Sequence, residues 1–264
     1  MYRPINQSNR EQFERDGYFI VENVLSDAEI AVAAALFDEW LPAEANPPLV
    51  SGEHGVQLNG RKSLMPEFCE PRLANLAGHH RLINATDALL DSPFRLYQTS
   101  ALVSTHKSPP GAESFDFGYH VDWPHNPPVF GDDRYVNCVL HFTTVEAGGG
   151  AFMLCPGSHL FVEKCLEDST LRARVLAQDF NDLPGLPEPM EMCVPAGSAV
   201  FFHAFLVHDR SENVRDMPRK VMFVHFLKSD DEKLSDAAIE DRARRFHPDH
   251  LSAMDSRMKR LCGL

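Results

Sequence analysis

The sequence lacks long apolar runs and an excess of basic charge. No segment approaches the roughly 18 consecutive apolar residues of a membrane span, and residues 1–17 contain no apolar signal core. Acidic residues outnumber basic residues by 38 to 25, which gives a formal net charge of −13. A chain this acidic would be repelled by nucleic acid and by an anionic membrane. We therefore expect a cytoplasmic protein that binds neither.

Paired cysteines and dividing linkers are also missing. No two cysteines form a CxxC pair, so neither a zinc knuckle nor a redox motif is indicated. Reduced and buried thiols are the simpler interpretation, and they agree with a cytoplasmic location. No repeat or low-complexity tract divides the chain, which predicts a single domain over residues 1–264. The cysteines are Cys69, Cys138, Cys155, Cys165, Cys193 and Cys262.

Two capping patterns indicate helices in the N-terminal third. Ser8 with Glu11, and Ser26 with Glu29, each place a glutamate three residues after a serine, as in a capping box. The first helix should end before Gly17 and lead into an apolar strand, YFIVENV.

The remaining pattern predicts an α+β protein that is mainly β. Residues 43–70 are rich in proline, glycine and polar groups and indicate an irregular segment, whereas residues 71–91 are typical of helices. From Phe94 onward, short apolar runs separated by Gly, Pro and Asp predict strands of a sandwich or barrel. A helical or loop insertion over 158–190 interrupts them. The parts are a helical region of about 1–92, a jelly-roll core of about 93–228 and a partly helical tail of about 229–264.

His120 and Asp122 form an HxD pair that predicts a metal site. Residues i and i+2 of a strand point to the same face, so the imidazole and the carboxylate would converge. Two histidines and one carboxylate suit iron(II) and leave positions open for a 2-oxoacid and dioxygen. His208 is the candidate third ligand, with His203 and His225 as competitors.

Arg219 is a candidate anchor for a carboxylate. It follows His208 by eleven residues and opens the strand-like run RKVMFVHFLK, so we expect it to point inward from a strand beside the one that carries His208. A planar guanidinium can grip the distal carboxylate of 2-oxoglutarate through two parallel hydrogen bonds. The alternative is an exposed arginine in a turn. The spacing favours His208, because His203 is sixteen residues away from Arg219 and His225 follows it.

Five segments in order resemble the phytanoyl-CoA dioxygenase family of iron(II)- and 2-oxoglutarate-dependent oxygenases, including its ectoine hydroxylases. They cover most of the chain and are EQFERDGYFIVENVLSDAEI, HVDW, TTVEAGGGAFMLCPGSH, GSAVFFHAFLVHDRSEN and PRKVMF. The resemblance implies a double-stranded β-helix, or jelly roll, with N-terminal helices packed on it. It also implies iron(II), 2-oxoglutarate and O2 as cofactor and co-substrates, and hydroxylation of a small organic molecule with release of succinate and CO2.

Carried over residue by residue, the resemblance implies His120, Asp122 and His208 as the iron ligands and Arg219 as the 2-oxoglutarate anchor. It implies no catalytic side chain beyond the metal ligands. Related halogenases replace the carboxylate with a small residue so that chloride can bind. Asp122 therefore favours hydroxylation or another oxidation.

Three further residues are open candidates. Lys107 resembles a lysine that contacts the oxoacid in ectoine hydroxylases, or it is an exposed loop lysine. The family often has a small residue and then serine after the distal histidine, where this chain has Asp209, Arg210 and Ser211. Ser211 or Arg210 can therefore contact the oxoacid, or neither. Trp123 is either a substrate contact or a packing residue.

Two alternatives to hydroxylation stay open. The same metal site can support desaturation, ring formation or demethylation, since all begin with hydrogen abstraction. A non-catalytic cupin-like protein that binds a metal or ligand is the alternative from another class.

Overall fold

The computed structural model describes residues 5–40, 55–58, 61–64, 71–104, 118–122, 135–229, 240, 243–244, 246 and 248–264. The helices within them are α1 (Gln7–Asp16), α2 (Asp27–Trp40), α3 (Pro71–Ala74), α4 (His80–Leu90), α5 (Ser158–Glu167), α6 (Ser169–Leu176), α7 (Pro248–Ala253) and α8 (Ser256–Cys262), with a 3-10 helix over Asn75–Gly78. The strands are β1 (Tyr18–Val21), β2 (Gly55–Leu58), β3 (Arg61–Leu64), β4 (Phe94–Ser104), β5 (Tyr135–His141), β6 (Phe152–Leu154), β7 (Met190–Met192), β8 (Ala199–His203), β9 (His208–Arg210) and β10 (Arg219–Lys228). None of the helices in these ranges is long and apolar enough to cross a membrane.

The strands form two antiparallel sheets with helices before, between and after them. The large sheet has the order β1-β8-β5-β10-β4-β3-β2, and the small sheet has the order β7-β6-β9. In the large sheet β10 lies between β4 and β5, and it pairs with β4 over its full length. The protein is therefore a sheet-rich fold of mixed helices and strands.

The first helix begins two residues earlier than its sequence pattern predicts. Asn6, not Ser8, is the N-cap: its side chain accepts from the Asn9 N–H, and the Asn9 side chain accepts from the Asn6 N–H, both at 3.1 Å. The prediction for Ser8 is wrong because asparagine supplies the same capping box two residues upstream.

The second capping prediction is confirmed. The Glu29 carboxylate accepts from the Ser26 N–H at 2.8 Å, and the Ser26 hydroxyl accepts from the Glu29 N–H at 3.3 Å. These reciprocal bonds satisfy backbone donors at the start of α2, which have no partners within the helix.

Two strand predictions need correction. Residues 43–70 contain the hairpin of β2 and β3, which extends the large sheet beyond β4. The run from Ala199 to His208 is not one strand: β8 ends at His203, and His208 opens β9 in the other sheet. Residues 204–207 are buried and apolar, so their composition does not distinguish a buried turn from a strand.

The large sheet has apolar side chains on both faces. One face packs against the terminal helices in a cluster that includes Phe19, Leu82, Met222 and Met258. The other face packs against the small sheet, and Val139 and Val221 meet Phe152 and Leu154 there. The space between the sheets is therefore the place where side chains from distant strands meet.

Candidate metal centre

His120, Asp122 and His208 lie together at one end of the space between the sheets. Each offers one ligand atom, and the three atoms lie within 4.8 Å of one another. Asp122 Oδ1 is 3.6 Å from His208 Nε2 and 4.0 Å from His120 Nε2. The structure thus brings together the three ligands that the sequence predicts.

The backbone places the two imidazoles side by side. His120 and His208 form an isolated antiparallel bridge with reciprocal N–H to carbonyl bonds of 3.0 and 2.9 Å. Their ring centroids are 4.3 Å apart. The next residue, Val121, is buried and donates its N–H to Gln178 Oε1 at 2.9 Å. This bond fixes the short segment from which His120 and Asp122 both reach the site.

Both imidazoles carry the hydrogen-bond partner that a metal-binding histidine needs. Nδ1 of His120 is 3.0 Å from the Gly118 carbonyl, and Nδ1 of His208 is 2.8 Å from the Leu206 carbonyl. A carbonyl oxygen can only accept, so each Nδ1 donates and Nε2 is the ring nitrogen that each histidine can offer to a metal. Burial, followed by the neighbouring His120, lowers the pKa of His208 to about 4, which also favours the neutral ligand form.

Asn137 and His225 support the carboxylate, a role that the sequence reasoning missed. Asn137 Nδ2 donates to Asp122 Oδ2 at 3.1 Å, and Asn137 Oδ1 lies 2.8 Å from Nδ1 of His225. His225 faces Asn137 across the β5–β10 ladder. The amide thus occupies Oδ2 of Asp122 and leaves Oδ1, the oxygen nearest both histidines, for a metal.

The two competing histidines have other contacts. His225 directs Nδ1 at Asn137 and lies 4.0 Å from Asp122 Oδ2, but it does not belong to the group of candidate ligands found among the described residues. His203 accepts from the Phe205 N–H at 3.0 Å and packs on the ring of His159. Of the three, His208 is the histidine that joins His120 and Asp122.

The donor set fits iron(II). Two imidazole nitrogens and one carboxylate oxygen form the arrangement of non-haem iron(II) oxygenases. The rings of Phe152 and Phe202 pack against His208 with centroids 5.1 and 5.0 Å away. This apolar contact covers one side of the ligand and holds its ring in place.

Arg219 is almost fully buried, at 2 % exposed, but it does not lie on a strand beside that of His208. It opens β10 of the large sheet, whereas His208 opens β9 of the small sheet, so the predicted adjacency of the two strands is wrong. The Arg219 guanidinium donates to the carbonyl of Gly150, two residues before β6. The long side chain therefore reaches from one sheet to the segment that enters the other.

The two residues after Asp209 differ in their surroundings. Arg210 pairs with Phe152, and His208 pairs with Leu154, so alternation places Arg210 on the face of His208. Arg210 is half-buried. Ser211 follows the end of β9, donates its N–H to Ala151 O at 2.9 Å and has a buried hydroxyl.

The other two candidates, Lys107 and Trp123, lie outside the described residues.

Comparisons with known proteins agree with the family resemblance of the sequence. The model of the phytanoyl-CoA dioxygenase (PhyH) family matches residues 13–221. An ectoine dioxygenase of Bordetella bronchiseptica is 27 % identical over 235 residues, which span 81 % of this chain and 72 % of that protein. An ectoine dioxygenase of Stutzerimonas stutzeri is 26 % identical over 238 residues, or 83 % of this chain and 76 % of that protein.

Solved structures show the same fold at low identity. The epimerase SnoN from nogalamycin biosynthesis, in complex with Fe3+, alpha ketoglutarate and nogalamycin RO, has a TM-score of 0.65 and 23 % identity, and the match covers 84 % of this chain and 83 % of that one. EctD from S. alaskensis with bound Fe has a TM-score of 0.63 and 18 % identity, and the match covers 86 % and 84 %.

Proposed function

The chain belongs to the phytanoyl-CoA dioxygenase family, and we propose that this iron(II)- and 2-oxoglutarate-dependent dioxygenase holds its metal through His120, Asp122 and His208. The enzyme hydroxylates a small organic molecule. The observation that carries the ligand assignment is the convergence of two Nε2 atoms and one carboxylate oxygen, with both Nδ1 atoms committed to backbone carbonyls.

The remaining residues prepare the site for its co-substrate. Iron(II), when bound with 2-oxoglutarate and dioxygen, supplies the oxidising power for C–H hydroxylation, with succinate and CO2 as the other products. Arg219 binds the distal carboxylate of 2-oxoglutarate and so fixes how the oxoacid lies. Asn137 holds Asp122 in one orientation. Lys107, and either Arg210 or Ser211, are proposed as further contacts of the oxoacid, and Trp123 is proposed as a substrate contact.

The two sheets support a finer assignment of the fold. We infer that they form the double-stranded β-helix of this enzyme class, with the site at one end of the space between them and helices packed on the outer face. One apolar cluster joins Phe19 near the N-terminus, Met222 of β10 and Met258 of α8. This shared core supports our proposal that residues 1–264 form one dioxygenase domain. The cysteines in the described ranges are free thiols, in keeping with a cytoplasmic location.

Hydroxylation is the outcome that the relatives favour. The curated relatives are ectoine dioxygenases, and we propose for this chain a small polar substrate of comparable size. Structural neighbours also include an epimerase and a carbocyclase, both from nogalamycin biosynthesis. Ring formation, desaturation or demethylation on the same metal site is therefore the second candidate, and the mass of the product separates the two.

Anaerobic titration with iron(II) and 2-oxoglutarate tests the site directly. We expect the wild-type protein to show the weak visible charge-transfer band of an oxoacid bound to iron(II). His208→Ala and Asp122→Ala should lose the band while remaining folded. His80→Ala changes an exposed histidine of α4 and is the matched control, so it should keep the band.

The same titration distinguishes the alternative from another class. Iron binding by wild type without a charge-transfer band, and without succinate release in air, would point to a cupin-like binding protein. A full band in His208→Ala would contradict the ligand assignment alone.

A further inference from the structure

A fully buried histidine lies at the opposite end of the space between the sheets from the metal ligands. His141 is the last residue of β5 and is 0 % exposed. Neither of its ring nitrogens has a hydrogen-bond partner of normal geometry among the described residues, although the backbone of Val139 and Ser198 lies near the ring. Its backbone neighbour Ser198, whose carbonyl accepts the His141 N–H at 2.9 Å, buries a hydroxyl that likewise has no partner there.

The strand register places this histidine on the face that carries Arg219. His141 pairs with Val221 of β10, and Arg219 precedes Val221 by two residues. Cross-strand partners share a face, and so do residues two apart along a strand, so all three side chains point into the space between the sheets. Val221 belongs to the apolar cluster in that space.

The positive charge of Arg219 acts on the imidazole of His141, in keeping with their shared face. Burial, with a further contribution from the positive charge of Arg219, lowers the pKa of His141 to about 3. The imidazole is therefore neutral at any working pH and carries one N–H donor and one acceptor nitrogen. A donor and an acceptor that lack partners in an apolar core destabilise the fold. They are therefore expected where a ligand or an ordered water supplies the missing hydrogen bonds.

A carboxylate would accept from the ring N–H of His141 and from the Arg219 guanidinium together. It is an acceptor with room for about four hydrogen bonds, of which a bidentate guanidinium uses two. The remaining lone pairs can accept from a neutral N–H donor beside the arginine.

We propose that His141 donates its ring N–H to the distal carboxylate of 2-oxoglutarate, which it binds together with Arg219. The inference rests on the proposed function, because it assigns a second residue to the same co-substrate site. His141 thereby helps the enzyme to select a dicarboxylic 2-oxoacid over a monocarboxylic one.

Binding of two oxoacids to the iron(II)-loaded protein without oxygen tests this role. One is 2-oxoglutarate, and the other is 2-oxovalerate, which has the same chain length and no distal carboxylate. In His141→Leu we expect the Kd for 2-oxoglutarate to rise roughly 10- to 100-fold, as the loss of a hydrogen bond to a charged group predicts. The Kd for 2-oxovalerate should stay within about twofold of wild type.

Stability provides a second readout that separates binding from structure. His141→Leu replaces an unsatisfied buried polar group by an apolar one, so its melting temperature should equal or exceed that of wild type. His141→Gln keeps an N–H donor and should recover part of the affinity. The matched control is His250→Leu, which changes another fully buried histidine, in α7, and should leave both Kd values unchanged.

Three results would contradict the proposal. If His141→Leu binds 2-oxoglutarate as tightly as wild type, the imidazole does not touch the carboxylate. If both oxoacids lose affinity equally, the residue acts through the packing of the site. If wild type itself binds no 2-oxoglutarate, the proposed function fails and takes this inference with it.

Discussion

The amide of Asn137 should govern how tightly the protein holds iron. Asn137 is 1 % exposed and is bonded on both sides, to Asp122 Oδ2 at 3.1 Å and to Nδ1 of His225 at 2.8 Å. Its orientation is fixed by chemistry, because an ionised carboxylate can only accept and so must face the NH2 group. In Asn137→Ala the carboxylate loses the donor that aims Oδ1 at the two histidines.

The expected loss follows from these two bonds. Outer partners of metal ligands typically contribute about 10- to 100-fold to metal affinity, and we expect Asn137→Ala to weaken iron(II) binding by that factor. The free energy of unfolding of the apoprotein should fall by about 1–3 kcal/mol, because the partly buried side chains of Asp122 and His225 lose a partner. Anaerobic competition against a chelator measures the first quantity, and urea denaturation measures the second.

A second buried asparagine provides the control for this prediction. Asn213 is 3 % exposed, donates to the Met217 carbonyl at 3.0 Å and accepts from the Arg215 N–H at 3.1 Å. Asn213→Ala should therefore destabilise the fold to a similar degree and leave iron affinity unchanged. Equal iron affinity in the two variants would refute the argument, since the effect of Asn137 would then be one of stability alone.

Three further outcomes follow from the geometry. Arg210→Ala should raise the Kd for 2-oxoglutarate or the KM for substrate more than Ser211→Ala does, because Arg210 shares the face of His208; the reverse order would favour Ser211 as the contact. The free energy of unfolding should fall as pH decreases from about 6.5 towards about 3, because His141 binds a proton in the unfolded chain but stays neutral in the folded protein. His141→Leu should flatten this slope, and denaturation at a series of pH values measures it. Gly17→Ala should lower the free energy of unfolding by about 2 kcal/mol or more, because Gly17 has φ of 78° and a Cβ there would lie 2.5 Å from Nδ1 of His159. Urea denaturation measures this, and an unchanged midpoint would contradict it.

Local patterns could be read from the sequence because they depend on neighbouring residues. The Ser26–Glu29 capping box and the helices over 71–91 need only side chains a few positions apart, and both are found. The break between β8 and β9 could not be read, because residues 204–207 are apolar whether they form a strand or a buried turn. The sheet to which Arg219 belongs depends on pairings of β10 with β4 and β5, at long range along the chain.

The candidate ligands could be predicted from the sequence, whereas the residues that support them could not. An HxD pair alone is a weak signal, but the spacing from His208 to Arg219 and the family resemblance together single out the candidate ligands. Asn137 and His141 lie instead within the apolar run VNCVLHF, where a polar residue has many structural explanations. A period of two does place Asn137, Val139 and His141 on one face, and this alternation is the signal that could have found them.

The same alternation explains how one pair of strands serves both halves of the site. On β5 the inward residues are Asn137, Val139 and His141, a polar–apolar–polar series that spans about 13 Å along the strand. On β10 the series repeats, since His225 faces Asn137 at the metal end and Arg219 lies on the face of His141 at the other end. Val139, an apolar residue of the core between the sheets, lies between the two ends. An oxoacid that binds a metal at one end and an arginine at the other needs such a face, polar at both ends and apolar between.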